Sequence, residues 1–217
     1  YEITTRLVGS EMCIRDSAHT LHHAGLIYYR QGIYGKAMER YMSSLQICEE
    51  DNLERELSTL YKNIGNVYSM FHDFDQSSAL YKKSLALARK FKDYALENMA
   101  LNNLIFAYTD KTPLSQYRRW QQEMLVHPEK RVRYDYDVFM TEAQVLIYER
   151  QPRKAIAVLR KAVDYCLKHH LQPISLASSY GTMSAIFLQL GQRDSALVYE
   201  LRNQQIAKET GNTALLI

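Results

Sequence analysis

Two stretches of the sequence decide the fold because they repeat each other 40 residues apart. "LHHAGLIYYRQGIYGKAMERYMSSL" covers residues 21–45, and "YKNIGNVYSMFHDFDQSSALYKKSL" covers residues 61–85. When the two stretches are aligned residue by residue, the matched pairs are Gly25 with Gly65, Tyr28 with Tyr68, Tyr34 with Phe74, Tyr41 with Tyr81, Ser44 with Ser84 and Leu45 with Leu85. Self-similarity at a fixed period of this length indicates stacked copies of one supersecondary unit.

Three further copies continue the pattern. The residues that occupy the same place in the five copies are Ala37, Ser77, Tyr117, Ala155 and Ala196. They are separated by 40, 40, 38 and 41 residues, so the period is almost constant along the chain. The sequence therefore predicts a repeat protein built from about five units.

Each copy is predicted to contain two helices. In the second copy, one apolar stripe recurs at steps of three and four residues: Leu57, Leu60, Ile64, Val67 and Tyr68. A short polar break at 72–73 precedes a second stripe: Phe74, Leu80, Tyr81, Leu85 and Leu87. A glycine in the middle of a helix costs about 1 kcal/mol relative to alanine. We expect Gly25 and Gly65 to permit close approach of the paired helix, with Ala37 or Ser77 facing them.

The third copy departs from the others. Ile105 stands where the first two copies have glycine, and Tyr117 stands where a small residue is expected. The same copy holds the only tryptophan, Trp120, and the loop "VHPEK" at 126–130. We expect a distorted middle repeat.

The residues shared by the first two copies resemble the tetratricopeptide repeat family. Its pattern of a large residue, a glycine, a tyrosine, a small residue, an aromatic and a small residue is carried by Leu21, Gly25, Tyr28, Ala37, Tyr41 and Ser44, and again by Tyr61, Gly65, Tyr68, Ser77, Tyr81 and Ser84. The resemblance covers nearly all of 18–217, although the period is nearer 40 than the family's usual 34. It implies an all-α fold, a right-handed α-α superhelix of about five helix pairs.

Residues 1–17 resemble foreign sequence. Back-translation of "LVGSEMCIRDS" (7–17) gives a nucleotide sequence similar to the transposase adaptor of short-read sequencing libraries, and Tyr1 to Ile3 fit the end of an indexing primer. We therefore predict a non-native segment at 1–17 and a tetratricopeptide-like repeat domain at 18–217. The apolar start after "KETGN" at the other end resembles the beginning of a sixth pair, so we expect the domain to be truncated at both ends.

Composition restricts the class of protein. The formal net charge is +3, far from the strongly basic balance of a nucleic-acid-binding protein, and three cysteines are too few for a disulfide scaffold. No apolar run approaches the roughly 18–20 residues that a membrane helix needs. We expect no membrane segment and a cytoplasmic location.

Histidine clusters are the only candidates for a metal site. His19 and His23 lie one helical turn apart, but no third ligand is evident. His169 and His170 are adjacent, so they point about 100° apart and are expected at a helix C-terminus instead. No nucleophile elbow, phosphate-binding glycine loop or carboxylate pair is present in the sequence. We expect no metal, no cofactor and no enzymatic activity.

Basic stretches with neighbouring tyrosines can track single-stranded nucleic acid. Two such stretches are "YRRW" at 117–120 and "EKRVR" at 129–133. Acidic residues are interleaved with them: Glu123, Glu129, Asp135 and Asp137. We interpret them as a solvated face of mixed charge that does not contact nucleic acid.

A groove for a protein or peptide ligand is the preferred hypothesis. In the family that this sequence resembles, the first helix of each pair lines the concave surface. Lys62 and Asn66 match the lysine and asparagine with which some members hold a peptide carboxylate. The neighbouring copies place further side chains beside them: Asn102, Asn103 and Phe106 in the third copy, and His22, Tyr29 and Arg30 in the first. Asparagine amides can bond a peptide backbone at both its donor and its acceptor groups.

The sequence thus favours a binding scaffold that recognises a protein or peptide reversibly along its concave groove. The alternative is a sensory or regulatory domain of a larger signalling protein. Long-period arrays of this kind resemble those that precede a DNA-binding or histidine-kinase module, which would lie outside this sequence.

Overall fold

Helices are the regular secondary structure of this chain wherever its structure is described. A computed structural model describes residues 2–126 and 134–210, with side chains for 12–126 and 135–210. The helices are α1 (Glu2–Arg30), α2 (Tyr34–Glu50), α3 (Glu54–Met70), α4 (Phe74–Lys90), α5 (Tyr94–Phe106), α6 (Leu114–Met124), α7 (Tyr134–Tyr148), α8 (Pro152–Lys168), α9 (Pro173–Gln189) and α10 (Arg193–Thr210). The predicted all-α, tetratricopeptide-like fold class is confirmed, with roughly the expected number of helix pairs.

Helices α1 to α4 end at intervals of 20 residues, and a residue in the left-handed conformation follows the end of each. In the first half of the chain these residues are Gly32, Asn52, His72 and Lys92. The amide after each reaches back to a carbonyl five residues earlier, for example Asp73 N to Tyr68 O at 3.0 Å. These are the bonds of a Schellman motif, which satisfies the last carbonyls of a helix and turns the chain into the next one. Helices α2, α3 and α4 accordingly have the same length, 17 residues each.

Aspartate caps fix the starts of two helices. The side chain of Asp73 accepts a hydrogen bond from the Gln76 amide, and that of Asp93 accepts one from the Leu96 amide. Each cap satisfies an amide that has no partner within the first turn. The turns at 71–73 and 91–93 therefore end one helix and begin the next within three residues.

The first unit comprises the described residues up to 113 and contains α1 to α5. Within it α1 pairs with α2, α3 pairs with α4, and α2–α3 and α4–α5 contacts join the successive pairs. One continuous cluster of buried residues links the first three helices: Ala18, Ala37, Tyr41, Cys48, Leu57, Leu60, Ile64 and Val67.

Tyrosine rings of the partner helices occupy the space beside Gly25 of α1 and Gly65 of α3. A Cβ added at Gly25 would lie 2.6 Å from the Tyr41 ring, and one added at Gly65 would lie 2.7 Å from the Tyr81 ring. The predicted close approach is confirmed, but its partner differs from the expected Ala37 or Ser77. Helical side chains point towards the N-terminus, so a tyrosine one turn farther along covers the glycine. Ser77 contributes only its carbonyl, at 3.3 Å.

The second unit comprises 114–126 and 134–210 and contains α6 to α10. Here α7 pairs with α8 and α9 with α10, while α6 packs on α7 and α8 on α9. Its largest cluster of buried residues includes Met140, Ala143, Leu159, Met183 and Ile186. Ala143 and Leu159 occupy the places that glycine and tyrosine hold in the first two repeats, so the same helix pairing is built from a different small-and-large combination.

The third repeat is distorted as expected. Helix α5 has 13 residues and α6 has 11, against 17 in α2, α3 and α4. Seven non-helical residues, 107–113, separate them, and α5 belongs to the first unit whereas α6 belongs to the second. Of the loop "VHPEK", only Val126 falls within the described residues.

Helix α1 begins at Glu2, within the segment 1–17. Its described side chains, from Met12 to Ser17, are exposed or half-buried, and the first buried residue is Ala18. The Ser44 hydroxyl donates to the Ala18 carbonyl at 2.8 Å, which ties the start of the buried stripe to α2. The non-native origin of 1–17 stays a prediction, and the packing is consistent with a repeat domain that begins at 18.

Candidate functional site

The first helices of the repeats in the first unit, α1, α3 and α5, carry the polar side chains of the predicted groove. Asn66 on α3 lies at its centre. Its side-chain oxygen accepts hydrogen bonds from the Tyr81 hydroxyl at 2.9 Å and from the Asn103 amide at 3.0 Å. Asn66 therefore joins three helices, α3, α4 and α5, and its own NH₂ makes no hydrogen bond among the described residues.

Lys62 lies one turn before Asn66 on α3. It is half-buried, and desolvation lowers the pKa of its ammonium group. No ion pair joins Lys62 to a carboxylate in the described part of the chain. A cation held partly out of water without an opposite charge favours the approach of an anion.

His22 on α1 faces the same part of α3. Its Nε2 accepts a hydrogen bond from the Asn63 amide at 2.6 Å, which places the ring proton of the neutral imidazole on Nδ1. Burial, with smaller contributions from His23, Lys62 and His19, lowers the pKa of His22 to about 4. His22 is therefore neutral at physiological pH, and Lys62 is close enough for its charge to act on the ring.

Tyr29 and Arg30 lie in the last turn of α1. Tyr29 is half-buried against the Tyr34 ring, 5.5 Å away between centroids, and burial raises its pKa. Burial raises the pKa of Tyr81, whose hydroxyl donates to Asn66, and Tyr29 raises that pKa as well. Tyr29 thus lies near the central asparagine, whereas Arg30 is exposed to solvent.

Asn102 and Phe106 complete the predicted set on α5. Asn102 is half-exposed and makes no hydrogen bond among the described residues, so both ends of its amide can meet a ligand. Phe106 is 39% exposed at the end of α5. Asn103, by contrast, is already bonded to Asn66.

The structure thus brings Lys62, Asn66 and Asn103 together, with Tyr29 nearby through Tyr81. It also shows a link that sequence reasoning missed, the His22–Asn63 bond between α1 and α3. The relevant signal was present, since Asn63 and Asn103 occupy the same place in successive copies. Binding by any of these residues stays a prediction.

The basic stretch at 117–120 is not a free solvated face. The Arg118 guanidinium bonds both oxygens of Glu149, at 2.6 and 2.7 Å, and one oxygen of Glu142 at 2.8 Å. It holds α6 to α7, so our interpretation of Arg118 as a solvated residue is wrong. Arg119 fits that interpretation, because it is 72% exposed and pairs with Glu123 within its own helix. The second stretch, at 129–133, lies outside the described residues.

The histidines do not assemble a metal site in the described part of the chain, where no group of three or more possible ligands is found. His19 Nε2 instead lies 3.7 Å from Glu56. His169 caps the C-terminus of α8 and His170 follows it in the left-handed conformation, so their predicted position at a helix end is confirmed. None of the described helices has both the length and the apolar character that a bilayer span requires.

Comparison with known sequences identifies the repeats. Residues 16–90 match the model of the tetratricopeptide repeat family. No curated protein sequence matches this chain.

Solved structures share the fold over almost the whole chain. A Rap protein in complex with Competence and Sporulation Factor has a TM-score of 0.75 at 14% identity, covering 92% of this chain and 56% of that one. The Rap conjugation gene regulator of the plasmid pLS20, in complex with the Phr* peptide, has a TM-score of 0.72 at 16% identity, covering 91% and 55%.

The match also extends to a shorter protein, a thermophilic tetratricopeptide repeat protein of Thermus thermophilus. It has a TM-score of 0.56 at 14% identity, covering 91% of this chain and 94% of that one. The chain spans just over half the length of the two Rap proteins that it matches. Residues 16–90 are tetratricopeptide repeats, and the chain as a whole has the fold of a tetratricopeptide-type helical repeat protein.

Proposed function

We propose that this chain is a non-catalytic binding module that recognises a peptide or protein segment along α1, α3 and α5 of the first unit. The observation that carries the proposal is the state of Lys62. It is a half-buried ammonium without a described acidic partner, and it lies one turn from the amide of Asn66. A carboxylate of the ligand would supply the negative charge opposite Lys62 and would accept hydrogen bonds from its ammonium group and from the Asn66 amide.

The side-chain amides near Lys62 can form hydrogen bonds with the backbone of an extended peptide ligand. The NH₂ of Asn66 and the whole side-chain amide of Asn102 are free of hydrogen bonds among the described residues, while Asn103 holds Asn66 in place. Prior fixing of a contact side chain lowers the entropy that binding must overcome. The half-exposed ring of Phe106 adds an apolar surface at the end of the same helix.

Two of the structural neighbours support a ligand of this kind. The structure of one Rap protein contains Competence and Sporulation Factor, and that of another contains the Phr* peptide. A fold that accommodates such ligands in other proteins supports a peptide groove here.

A regulatory role is the second candidate. The neighbour that binds the Phr* peptide is a conjugation gene regulator, and this chain covers 55% of its length. Under this hypothesis, peptide binding to the repeats controls an effector domain encoded elsewhere in the gene. The sequence of an intact gene from the same source tests it, because a helix-turn-helix or histidine-kinase module beside the repeats would support regulation.

A peptide-library selection followed by titration tests the binding function. Lys62→Glu reverses the charge offered to a ligand carboxylate, so the selected peptide should bind about 2 kcal/mol more weakly, the scale of a charged hydrogen bond. Lys161→Glu is the control, because Lys161 is an exposed residue of α8 with no described contact. Equal losses in the two variants, or failure to select any peptide, would contradict the proposal.

A further inference from the structure

The second helix of a pair keeps one stripe exposed even where the next pair packs against it. Helices α2, α4 and α8 each contact the first helix of the following pair. In these three helices the residues two and five places beyond the start of the repeat pattern are nevertheless exposed: Glu39 and Met42, Ala79 and Lys82, and Ala157 and Arg160. The equivalent residues of α10 are Val198 and Leu201, so a further pair stacked on α10 would leave both of them exposed.

Among the described second helices, only α10 has large apolar residues at both of these places. Val198 is 48% exposed and Leu201 is 55% exposed. Asp194, Gln205 and Lys208 continue the same stripe and are exposed as well. The five residues, which we call the outer stripe, follow one another at steps of four, three, four and three residues. That spacing is typical of a seam along which one helix packs on another.

The charges of the outer stripe complement those of a second copy of it. Asp194 lies seven residues before Leu201, and Lys208 lies seven residues after it. Neither Asp194 nor Lys208 forms an ion pair among the described residues. When two α10 helices run antiparallel with their Leu201 residues together, Asp194 of each copy lies opposite Lys208 of the other. A parallel arrangement would instead place like charges opposite each other, which is unfavourable.

We propose that the outer stripe of α10 is an interface between two copies of this chain, which pair antiparallel about a two-fold axis at Leu201. Val198 and Leu201 of both copies form its apolar centre, and two reciprocal pairs of Asp194 with Lys208 flank that centre. Each copy contributes the same surface, as a two-fold interface requires. The interface lies in the second unit and the peptide groove in the first, so the two proposals are independent.

The size of the interface makes the association weak and reversible. Helix α10 has 18 residues and is therefore about 27 Å long. A single pair of such helices with four apolar side chains at its centre buries less than the roughly 1,200 Å² of a stable complex. We therefore expect the fraction of dimer to rise with protein concentration.

Sedimentation equilibrium of the full chain tests the pairing through charge reversal. The mass of the parent should rise towards that of two chains between micromolar and submillimolar concentration. Asp194→Lys leaves two cations on the stripe and Lys208→Asp leaves two anions, so each variant alone should associate about tenfold more weakly. An equimolar mixture of the two should associate as the parent does, because each supplies the charge that the other lacks. Lys161→Asp, at an exposed residue of α8, is the control and should associate as the parent does.

Three results would overturn this interface: a parent chain that stays monomeric at submillimolar concentration, single variants that associate as well as the parent, or a mixture that associates no better than its separate components. Circular dichroism of each variant verifies that it is folded. Leu201→Asn identifies the other possible occupant of the stripe. If the parent is monomeric and this variant unfolds at a lower urea concentration, the stripe is covered by the chain's own residues 211–217 and the pairing of copies is wrong.

Discussion

The side-chain amide of Asn103 donates to the side-chain oxygen of Asn66 across 3.0 Å, and so links α5 to α3 at the centre of the groove. The same oxygen accepts the Tyr81 hydroxyl from α4. Asn66 is therefore a structural bridge as well as a candidate ligand contact. A peptide can use its NH₂ group without breaking either bond, because both bonds use the oxygen.

The Asn66–Asn103 bond should appear as a coupling energy. In a double-mutant cycle of Asn66→Ala and Asn103→Ala, we expect an interaction of about 0.5–1.5 kcal/mol in the free energy of unfolding. Urea denaturation of the four proteins measures it. The control is Asn102→Ala, which removes no described hydrogen bond and should combine additively with Asn66→Ala. Additive losses in the main cycle would show that the two asparagines do not stabilise each other.

Gly65 should be intolerant of even one extra carbon. A Cβ would lie 2.7 Å from the Tyr81 ring, whose hydroxyl is fixed by Asn66, so Gly65→Ala should cost roughly 1–3 kcal/mol. Gly35→Ala is the control, because nothing lies within 4 Å of its added Cβ in α2. That variant should be neutral or more stable by up to about 1 kcal/mol. Equal melting temperatures for the two variants would contradict the packing around Gly65.

Arg118 should stabilise the second unit far more than its neighbour Arg119 does. Its side chain is 30% exposed and bonds Glu142 of α7 and Glu149 just after that helix, so Arg118→Ala should cost about 2 kcal/mol. Arg119 is 72% exposed, and Arg119→Ala should change the free energy of unfolding by less than about 0.5 kcal/mol. Guanidinium chloride screens charges, so urea denaturation is the suitable measurement.

Acid should reduce the difference between the parent and Arg118→Ala. The hydrogen bonds from Arg118 lower the pKa of Glu149, so the folded state releases that proton more readily than the unfolded chain does. The resulting stabilisation is complete above the ordinary glutamate pKa and is lost as pH falls through the folded value. If the difference between the two proteins stayed constant from pH 7 to about pH 3, the ion pair would not be its source.

Deletion of residues 1–17 should leave the fold intact. None of the described side chains before Ala18 is buried, and their described ion pair with α3 joins Arg15, which is 57% exposed, to the half-buried Glu56. Exposed ion pairs contribute about 0–1 kcal/mol. We therefore expect the shortened and full chains to unfold within about 1 kcal/mol of each other. A larger loss would contradict the view that the repeat domain starts at 18.

The period and the helix pairs could be predicted because hydrophobic spacing and small residues repeat along the sequence. The positions in the left-handed conformation that follow the helices could not be predicted, because Asn52, His72 and Lys92 stand there in place of glycine. Such residues adopt this conformation when the flanking hydrogen bonds compensate for its cost. The partner of Gly65 lies one turn beyond the residue that repeat alignment predicts, because helical side chains point towards the helix N-terminus.

The candidate site was predictable only as a set of positions. Repeat alignment placed Lys62, Asn66 and Asn103 on first helices, and the structure places them together. Their hydrogen bonds depend on the register between helices, which the sequence of a single helix does not contain. The same limit explains Arg118, whose two glutamates are 24 and 31 residues away along the chain.

The most direct test of the central claim is NMR shift mapping of the full chain with a library-selected peptide. When the peptide is added, we expect the side-chain amide signals of Asn66, Asn102 and Asn103 to shift, together with the backbone amide signals of α1, α3 and α5. The signals of α8 and α10 should stay unchanged. Shifts concentrated in the second unit, or on α2 and α4 without movement of the three asparagines, would contradict it.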